Sequence, residues 1–216
     1  MSLTANLVFL YEMPRLFIIS GCNGSGKTTA SYSILPEMLG CYEFVNSDEF
    51  AKSLSPFSPE KAYVGASRYM VLKMKRLLDR EADFGIETTL ATRSLLQTIK
   101  EAKEKGYYVT LLYFWLNSPE LAIARVRSRV NAGGHNIKEE TIRRRYSMGL
   151  HYLFREFMPL CDRWILCDNS QDPMVIVAES SENGTIVRDP ERFSRIKSIN
   201  DAYEKEMREE RKKNNV

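Results

Sequence analysis

The chain has few of the residues that build metal clusters or disulfide scaffolds. It contains four cysteines and two histidines among 216 residues, and no two cysteines form a C-x-x-C pair. This scarcity excludes a disulfide-rich secreted scaffold, and it predicts reduced thiols in the cytoplasm. Cys22 lies in a glycine-rich segment, where we interpret it as a tolerated small residue, with a redox-sensitive thiol as the alternative.

Long apolar runs and a strong charge of one sign are also missing. No stretch approaches the roughly 20 apolar residues of a membrane-spanning helix, and the first residues lack the basic region and cleavage site of a signal peptide. The formal net charge of +3 is too small to indicate a nucleic-acid partner. We therefore predict a cytoplasmic protein without membrane contact and do not expect nucleic acid as its partner.

Strands and helices alternate along the chain. Apolar segments such as 16–19 and 108–116 predict buried strands, and amphipathic helices separate them. Asn183-Gly184 predicts a late β-hairpin. We expect an α/β three-layer sandwich with a mostly parallel five-stranded sheet, followed by a C-terminal hairpin and helix. Residues 13–216 should form one domain, with residues 1–12 as an N-terminal extension.

One motif stands between the first strand and the first helix. Residues 21–28 are GCNGSGKT, a full match to G-x-x-x-x-G-K-[ST]. In such a loop the backbone N–H groups and the helix dipole bind phosphates, and glycines stand where a Cβ would clash. The motif predicts a P-loop NTPase or kinase-like fold. The predicted phosphate-binding residues are Gly21, Asn23, Gly24, Ser25, Gly26, Lys27, Thr28 and Thr29.

Two residues of this loop have individual roles. Lys27 is predicted to contact the β- and γ-phosphates, and the Thr28 hydroxyl is the predicted ligand of Mg²⁺. ATP and Mg²⁺ are therefore the expected cofactors. The sequence contains neither the N-K-x-D signature of GTPases nor the serine-glycine-glycine signature of transporter ATPases. A compact kinase-like NTPase is the favoured class.

Segments beyond the loop resemble those of the zeta-toxin-like P-loop kinases. They are NSDEF at 46–50, ETTL at 87–90, SPELA at 118–122, GGH at 133–135 and DNS at 168–170. The resemblance covers about residues 15–170. It implies ATP-dependent transfer of a phosphate to a hydroxyl of a small acceptor. The better-known members act on UDP-N-acetylglucosamine and are blocked by an antitoxin protein, which suggests an antitoxin as a candidate partner.

Individual roles follow from the same resemblance. Asp48 matches the catalytic base, Glu87 with the adjacent Thr88 matches the substrate-binding position, and Arg125 matches an arginine that contacts the ATP phosphates. A second family arginine has no clear counterpart, because this stretch contains Gly133-Gly134-His135. The chain therefore departs from the pattern of the better-known members at this position.

The same positions can be weighed without the family. Asp48 and Glu87 follow predicted strands, and the carboxyl ends of parallel strands meet at the ligand-binding edge of such a sheet. At Asp48 a carboxylate can accept a proton from an attacking hydroxyl, and at Glu87 it can hold a substrate hydroxyl or a water on Mg²⁺. The alternatives are that Asp48 caps a helix beginning near Glu49, and that Glu87 is a surface residue at a strand end. Asp168-Asn169-Ser170 is predicted to form an Asx turn near the adenine.

Arginines on two predicted helices are candidates for transition-state contacts. Arg125 and Arg129 are four residues apart and share a helix face, and Arg144 is the third candidate. Such arginines stabilise the charge that spreads over the γ-phosphate oxygens; the alternative is a solvated charged face. We expect a mobile lid at about residues 119–147 with a hinge at Gly133-Gly134. His135 either contacts phosphate or caps a turn.

Two other functions remain open at this point. One is a regulatory P-loop protein that hydrolyses ATP and has no small-molecule acceptor. The other is a nucleic-acid end kinase, which requires a basic groove and salt-dependent binding to oligonucleotides.

Overall fold

The computed structural model describes residues 13–56, 58–134 and 136–214. Strands and helices alternate in this part of the chain. The strands are β1 (Arg15–Ser20), β2 (Glu43–Val45), β3 (Phe84–Thr88), β4 (Tyr108–Trp115), β5 (Arg163–Asp168), β6 (Val175–Ser181) and β7 (Gly184–Val187). The α-helices are α1 (Lys27–Ser33), α2 (Ser47–Leu54), α3 (Pro59–Asp79), α4 (Leu95–Glu104), α5 (Pro119–Asn131), α6 (Glu139–Tyr152) and α7 (Pro190–Asn214). Wider π-helical turns continue α1 over Ile34–Met38 and α6 over Leu153–Phe157.

Within the described residues, all strands belong to one seven-stranded sheet of order β2-β3-β1-β4-β5-β6-β7. The first five are parallel, and β6 and β7 add to them antiparallel. The predicted α/β fold with five parallel strands is confirmed. The hairpin also exists, and it extends the same sheet. Because β1, β2 and β3 are parallel neighbours, their carboxyl ends lie together at one edge.

The strand β1 shows why the sheet is covered on both faces. Leu16 and Ile18 are fully buried in the larger apolar cluster, whereas Phe17 and Ile19 are buried in the smaller one. Successive side chains of a strand point to opposite faces, so an apolar run buried throughout needs helices on both sides. The predicted three layers follow from this.

The C-terminal part of the described chain contributes to the core. The last helix, α7, packs on the larger cluster through Ile196, which is fully buried. Within the described residues, no helix is both long and apolar enough to cross a bilayer. The predicted extension at 1–12 lies outside the described residues, and one domain over 13–216 stays a prediction.

Candidate functional site

The loop between β1 and α1 has the backbone that its glycines predict. Gly21, Gly24 and Gly26 have φ angles of 138°, 78° and 87°, a region that residues with a Cβ rarely adopt. A Cβ on Gly24 would lie 2.7 Å from the carbonyl oxygen of Ala122, and one on Gly26 would lie 2.5 Å from Asn169 Nδ2. The loop therefore fits closely against α5 and against the segment after β5.

An open cleft of about 1140 Å³ begins at this loop. Six of the eight predicted phosphate-binding residues line it, namely Asn23, Gly24, Gly26, Lys27, Thr28 and Thr29. Gly21 and Ser25 are buried and do not line it. The Ser25 hydroxyl is buried and finds no hydrogen-bond partner in the described part of the chain.

Lys27 and Thr28 converge on one carboxylate. Lys27 is 6% exposed, donates to the carbonyl of Cys22 at 3.0 Å, and holds its Nζ 3.9 Å from Glu87 Oε1. Thr28 Oγ1 lies 3.0 and 2.9 Å from the two carboxylate oxygens of Glu87. The predicted phosphate-contacting lysine and metal-binding hydroxyl therefore meet at Glu87.

Glu87 is held in a mostly buried position at the end of β3. Burial raises the pKa of its carboxyl; Lys27 and the Thr28 hydrogen bond lower it in part, and the nearby Asp48 and Glu49 charges raise it. Glu87 is therefore not a surface residue at a strand end, so that alternative is wrong. The adjacent Thr88 lines the cleft, and its hydroxyl accepts a hydrogen bond from Leu90 N at 3.1 Å.

A residue that sequence reasoning missed connects Glu87 with α2. Asn46 Oδ1 accepts from the backbone N–H groups of Asp48 and Glu49 at 2.9 and 3.2 Å, and Asn46 Nδ2 donates to Glu87 Oε2 at 2.8 Å. Asn46 is thus the N-cap of α2, and the alternative that Asp48 is the cap is wrong. The preference of asparagine for N-caps was the available signal.

Asp48 lies in the first turn of α2 and lines the cleft. Its charge acts on two neighbours, raising the pKa of Glu87 and opposing the effect of burial on the pKa of Arg145. Asp48, Glu87 and Arg145 therefore face a common space next to the phosphate loop.

The predicted arginines divide into those at the cleft and one away from it. Arg125 and Arg129 line the cleft, and Arg125 donates to the carbonyls of Asn169 and Ser170 at 2.9 and 3.1 Å. Arg144 is exposed and contacts Met148 Sδ at 3.6 Å, away from the residues that line the cleft.

Arg145 occupies the place that was predicted for Arg144. It lines the cleft and donates to Asn23 Oδ1 of the phosphate loop at 3.1 Å. Burial lowers its pKa, and the Asp48 charge raises it. Ile142 and Tyr146 of the same helix are buried in the core, and this fixes which arginine faces the cleft. The spacing of the apolar residues Ile142 and Tyr146 in the sequence was an unused signal that Arg145, rather than Arg144, faces the cleft.

The segment after β5 forms the predicted Asx turn. Asp168 Oδ1 accepts from Ser170 N at 2.9 Å, and Asp168 Oδ2 lies 3.0 Å from Arg192 Nε on α7. Asn169 Nδ2 donates to Ser25 O at 2.8 Å. The turn therefore holds the phosphate loop from the side of β5.

Cysteine and histidine do not contribute reactive groups to the described site. Cys22 is 2% exposed, and burial raises the pKa of its thiol to about 11, so the thiol is protonated at neutral pH. This fits a tolerated small residue. His135 lies outside the described residues. Among the described residues, no group of three or more His, Cys, Asp or Glu side chains is placed to hold a metal ion.

A zeta toxin family model matches residues 9–153, which include the loop, Asp48, Glu87 and the cleft arginines. The chain belongs to the zeta toxin family. An uncharacterised protein of Haemophilus influenzae is 35% identical over 126 residues, which are 58% of this chain and 88% of that protein.

Solved structures agree at the level of the fold. The chain is similar to AvrRxo1-ORF1:AvrRxo1-ORF2, solved with sulphate ions, at 19% identity and a TM-score of 0.71; the match covers 85% of this chain and 63% of that one. A second structure of this pair was solved with ATP, with the same identity and coverage and a TM-score of 0.66.

The PezAT chromosomal toxin-antitoxin system of Streptococcus pneumoniae matches at 19% identity and a TM-score of 0.62, over 95% of this chain and 93% of that one. This zeta-toxin-family chain therefore has the P-loop kinase fold. It spans less than two thirds of the AvrRxo1 chain it matches.

Proposed function

We propose that the protein is an ATP- and Mg²⁺-dependent phosphotransferase that moves the γ-phosphate of ATP to a hydroxyl of a small acceptor. The observation that carries the proposal is the meeting of Lys27, Thr28 and Glu87 at the mouth of a cleft that Asp48 also lines. Family membership supports the same reaction class, and a nucleotide sugar such as UDP-N-acetylglucosamine is one candidate acceptor.

The loop fits a triphosphate. Its glycines adopt the positive φ angles of the loop, and a Cβ on Gly24 or Gly26 would lie below 3 Å from neighbouring protein atoms. The amino end of α1 contributes N–H groups and a dipole, and Lys27 contributes a charge. The solved AvrRxo1 complex with ATP, which has the same fold, is consistent with this assignment.

Thr28 and Glu87 are the residues that fit magnesium. Both present oxygen atoms, the ligand type that Mg²⁺ prefers, and two protein groups suffice because this ion keeps waters and phosphate oxygens as its remaining ligands. When bound, the ion would neutralise negative charge on the phosphates. Thr28 and Glu87 would hold it at the end of β3, beside Lys27.

Asp48 is the proposed general base. Its backbone N–H is bound by Asn46, and its carboxylate is not the helix cap, so it is left to face the cleft. The acceptor oxygen forms a bond to the γ-phosphorus, the bond from that phosphorus to the β-bridging oxygen breaks, and Asp48 accepts the hydroxyl proton. ADP leaves with the bridging oxygen.

Arginines at the cleft are the proposed charge stabilisers. Arg125 and Arg129 come from α5, and Arg145 comes from α6, so the predicted lid at 119–147 supplies all three. Arg145 takes the role first predicted for Arg144. Closure of this segment about Gly133-Gly134 stays part of the proposal. An antitoxin partner and a cytoplasmic location also stay predictions.

A single-turnover assay with γ-labelled ATP and a panel of small alcohols tests the function. The wild type is expected to label an acceptor, and Asp48→Asn is expected to lose about 10²- to 10⁴-fold in transfer rate because the base is gone. Undiminished transfer by Asp48→Asn would show that Asp48 is not the general base. Hydrolysis without a labelled acceptor would favour the regulatory ATPase, and labelled oligonucleotide ends would favour the end kinase.

A further inference from the structure

The cleft has two ends of different character. Among the described residues, Lys27, Arg125, Arg129 and Arg145 give the phosphate end its basic lining. The other part, which we call the acceptor end, runs between α3 and α4. It is lined by the apolar Met70, Val71, Met74, Leu78, Ile86 and Leu95 and by the uncharged polar Ser67, Ser94, Gln97 and Thr98.

The apolar side chains form a wall along α3. Leu78 and Met74 are buried and continue into the core, Met70 is partly buried against it, and Val71 is 60% exposed. Ligand clefts are usually lined by apolar side chains with a few polar groups that fix the orientation of the ligand. The acceptor end has this kind of lining.

Charge at the acceptor end is balanced. Lys75 and Glu101 have opposite signs, and Lys52, nearer the phosphate end, forms an ion pair with Glu49 at 2.8 Å. The amino end of α4 adds about half a positive charge. A diphosphate is held in proteins by several arginines, lysines or backbone N–H groups, and the described residues of the acceptor end do not offer such a set.

The cleft is also large enough for two ligands. Its volume of about 1140 Å³ lies above the range of roughly 300–1,000 Å³ that is usual for a site holding one small molecule. With the triphosphate at the basic end, room remains along α3 and α4 for a second molecule.

We propose that the acceptor is an alcohol without phosphate groups that has an apolar body, with the body against Met70, Met74 and Leu95 and the hydroxyl at Asp48. Gln97 and Thr98 on α4 supply hydrogen bonds to its polar atoms. This inference rests on the proposed function, and it narrows the substrate class of the same cleft to molecules other than nucleotide sugars.

Fractionation of possible acceptors tests the proposal. A small-molecule extract of bacterial cells is separated on an anion exchanger into an unretained fraction and a retained, anionic fraction, and each is incubated with the wild type and γ-labelled ATP. New labelled product from the unretained fraction supports the proposal. Product from the retained fraction alone is analysed by mass spectrometry: an acceptor that itself contains phosphate overturns the proposal and leaves the phosphotransferase intact, whereas an acceptor whose only anionic groups are carboxylates supports it. Product from neither overturns both.

A pair of variants on α3 tests the apolar wall. Met70→Glu places a negative charge on the wall, and its kcat/KM for the acceptor is expected to fall at least about tenfold, because a charge would be left against an apolar ligand. Leu72→Glu places the same charge on the side of α3 turned away from Met70, at a position that is 56% exposed and does not line the cleft, and is expected to leave kcat/KM unchanged. Thermal unfolding of both variants checks folding. Equal kcat/KM in the two folded variants would overturn the wall's role.

Discussion

At the scale of single residues, Glu87 contributes both to the candidate site and to the pH dependence of folding stability. Burial raises the pKa of its carboxyl more than Lys27 and Thr28 lower it, so the folded chain holds this proton to a higher pH than the unfolded chain does. Stability contributed at this position is therefore lost as pH rises from the ordinary glutamate pKa through the raised value.

Replacement of Glu87 should reverse that loss. Glu87→Gln has no charge to bury, so its melting temperature is expected to exceed that of the wild type at pH 8, and the difference should shrink towards pH 4. Calorimetric melting across this pH range measures it, with Glu182→Gln on the exposed β6–β7 turn as the control. A difference that stays constant with pH, or that grows on acidification, would contradict the assignment.

Asn46 has two roles that can be tested separately: it caps α2, and it donates a hydrogen bond to Glu87. Asn46→Ser keeps a capping oxygen for α2 but loses the amide that donates to Glu87, so stability should change by no more than about 1 kcal/mol. The rate of phosphate transfer should fall by about tenfold, because Asn46 no longer holds Asp48 and Glu87 in position relative to each other. The acidic limb of the pH–rate profile should move to higher pH, because the Glu87 carboxylate loses a hydrogen bond.

Two comparisons complete that test. Asn46→Ala also removes the cap and is expected to lose about 0.5–2 kcal/mol of stability. If Asn46→Ser leaves the pH–rate profile in place, then Asn46 only caps the helix and does not position the site.

At the scale of elements, a comparison of two glycines separates the cost of a positive φ angle from the cost of a steric clash. Gly24 and Gly40 both have positive φ, 78° and 61°, but a Cβ on Gly24 lies 2.7 Å from Ala122 O, whereas one on Gly40 meets nothing within 4 Å. Gly40→Ala is expected to cost about 1–2 kcal/mol for its conformation alone. Gly24→Ala should cost more and should also weaken ATP binding, because α5 must shift.

Urea unfolding and ATP titration of the two glycine variants measure this difference. Equal losses of stability with unchanged ATP binding in both would show that the close packing of the loop on α5 has no consequence.

The order of elements and the phosphate loop could be predicted from sequence because their signals are local. Apolar runs, glycine breaks and the motif at 21–28 each specify a segment of a few residues. The link from Asn46 to Glu87 could not be predicted in this way, because it depends on the pairing of β2 with β3 across 41 positions.

The position of each arginine around α6 explains why Arg145, and not Arg144, lines the cleft. Arg144 and Arg145 are neighbours about 100° apart around α6, and the choice between them depends on which side of the helix is buried. The joining of β6 and β7 to the edge of the parallel sheet was likewise not encoded locally, since Asn183-Gly184 specifies the hairpin but not the strand it pairs with.

At the scale of the whole molecule, the part beyond the family match completes the core. The match ends at residue 153, yet β5 pairs with β4 and Ile196 of α7 is fully buried in the main cluster. Ile196→Ala is expected to lower the free energy of unfolding by about 2–5 kcal/mol in one cooperative transition. Ser198→Ala, at an exposed position on α7, should change it by no more than about 0.5 kcal/mol.

Denaturant unfolding followed by tryptophan fluorescence and by circular dichroism measures both variants. Two separate transitions in Ile196→Ala would contradict a single domain over 13–216.

Capture of a magnesium triphosphate by the loop and Lys27 is the claim on which the rest depends, and a calorimetric titration with MgATP tests it most directly. We predict saturable binding at one site per chain and no change in affinity in the exposed Lys100→Ala. In Lys27→Ala the affinity is expected to be at least about tenfold lower, since a buried ammonium that faces phosphate is lost. Absence of binding heat with every nucleoside triphosphate, or equal affinity in the wild type and Lys27→Ala, would contradict it.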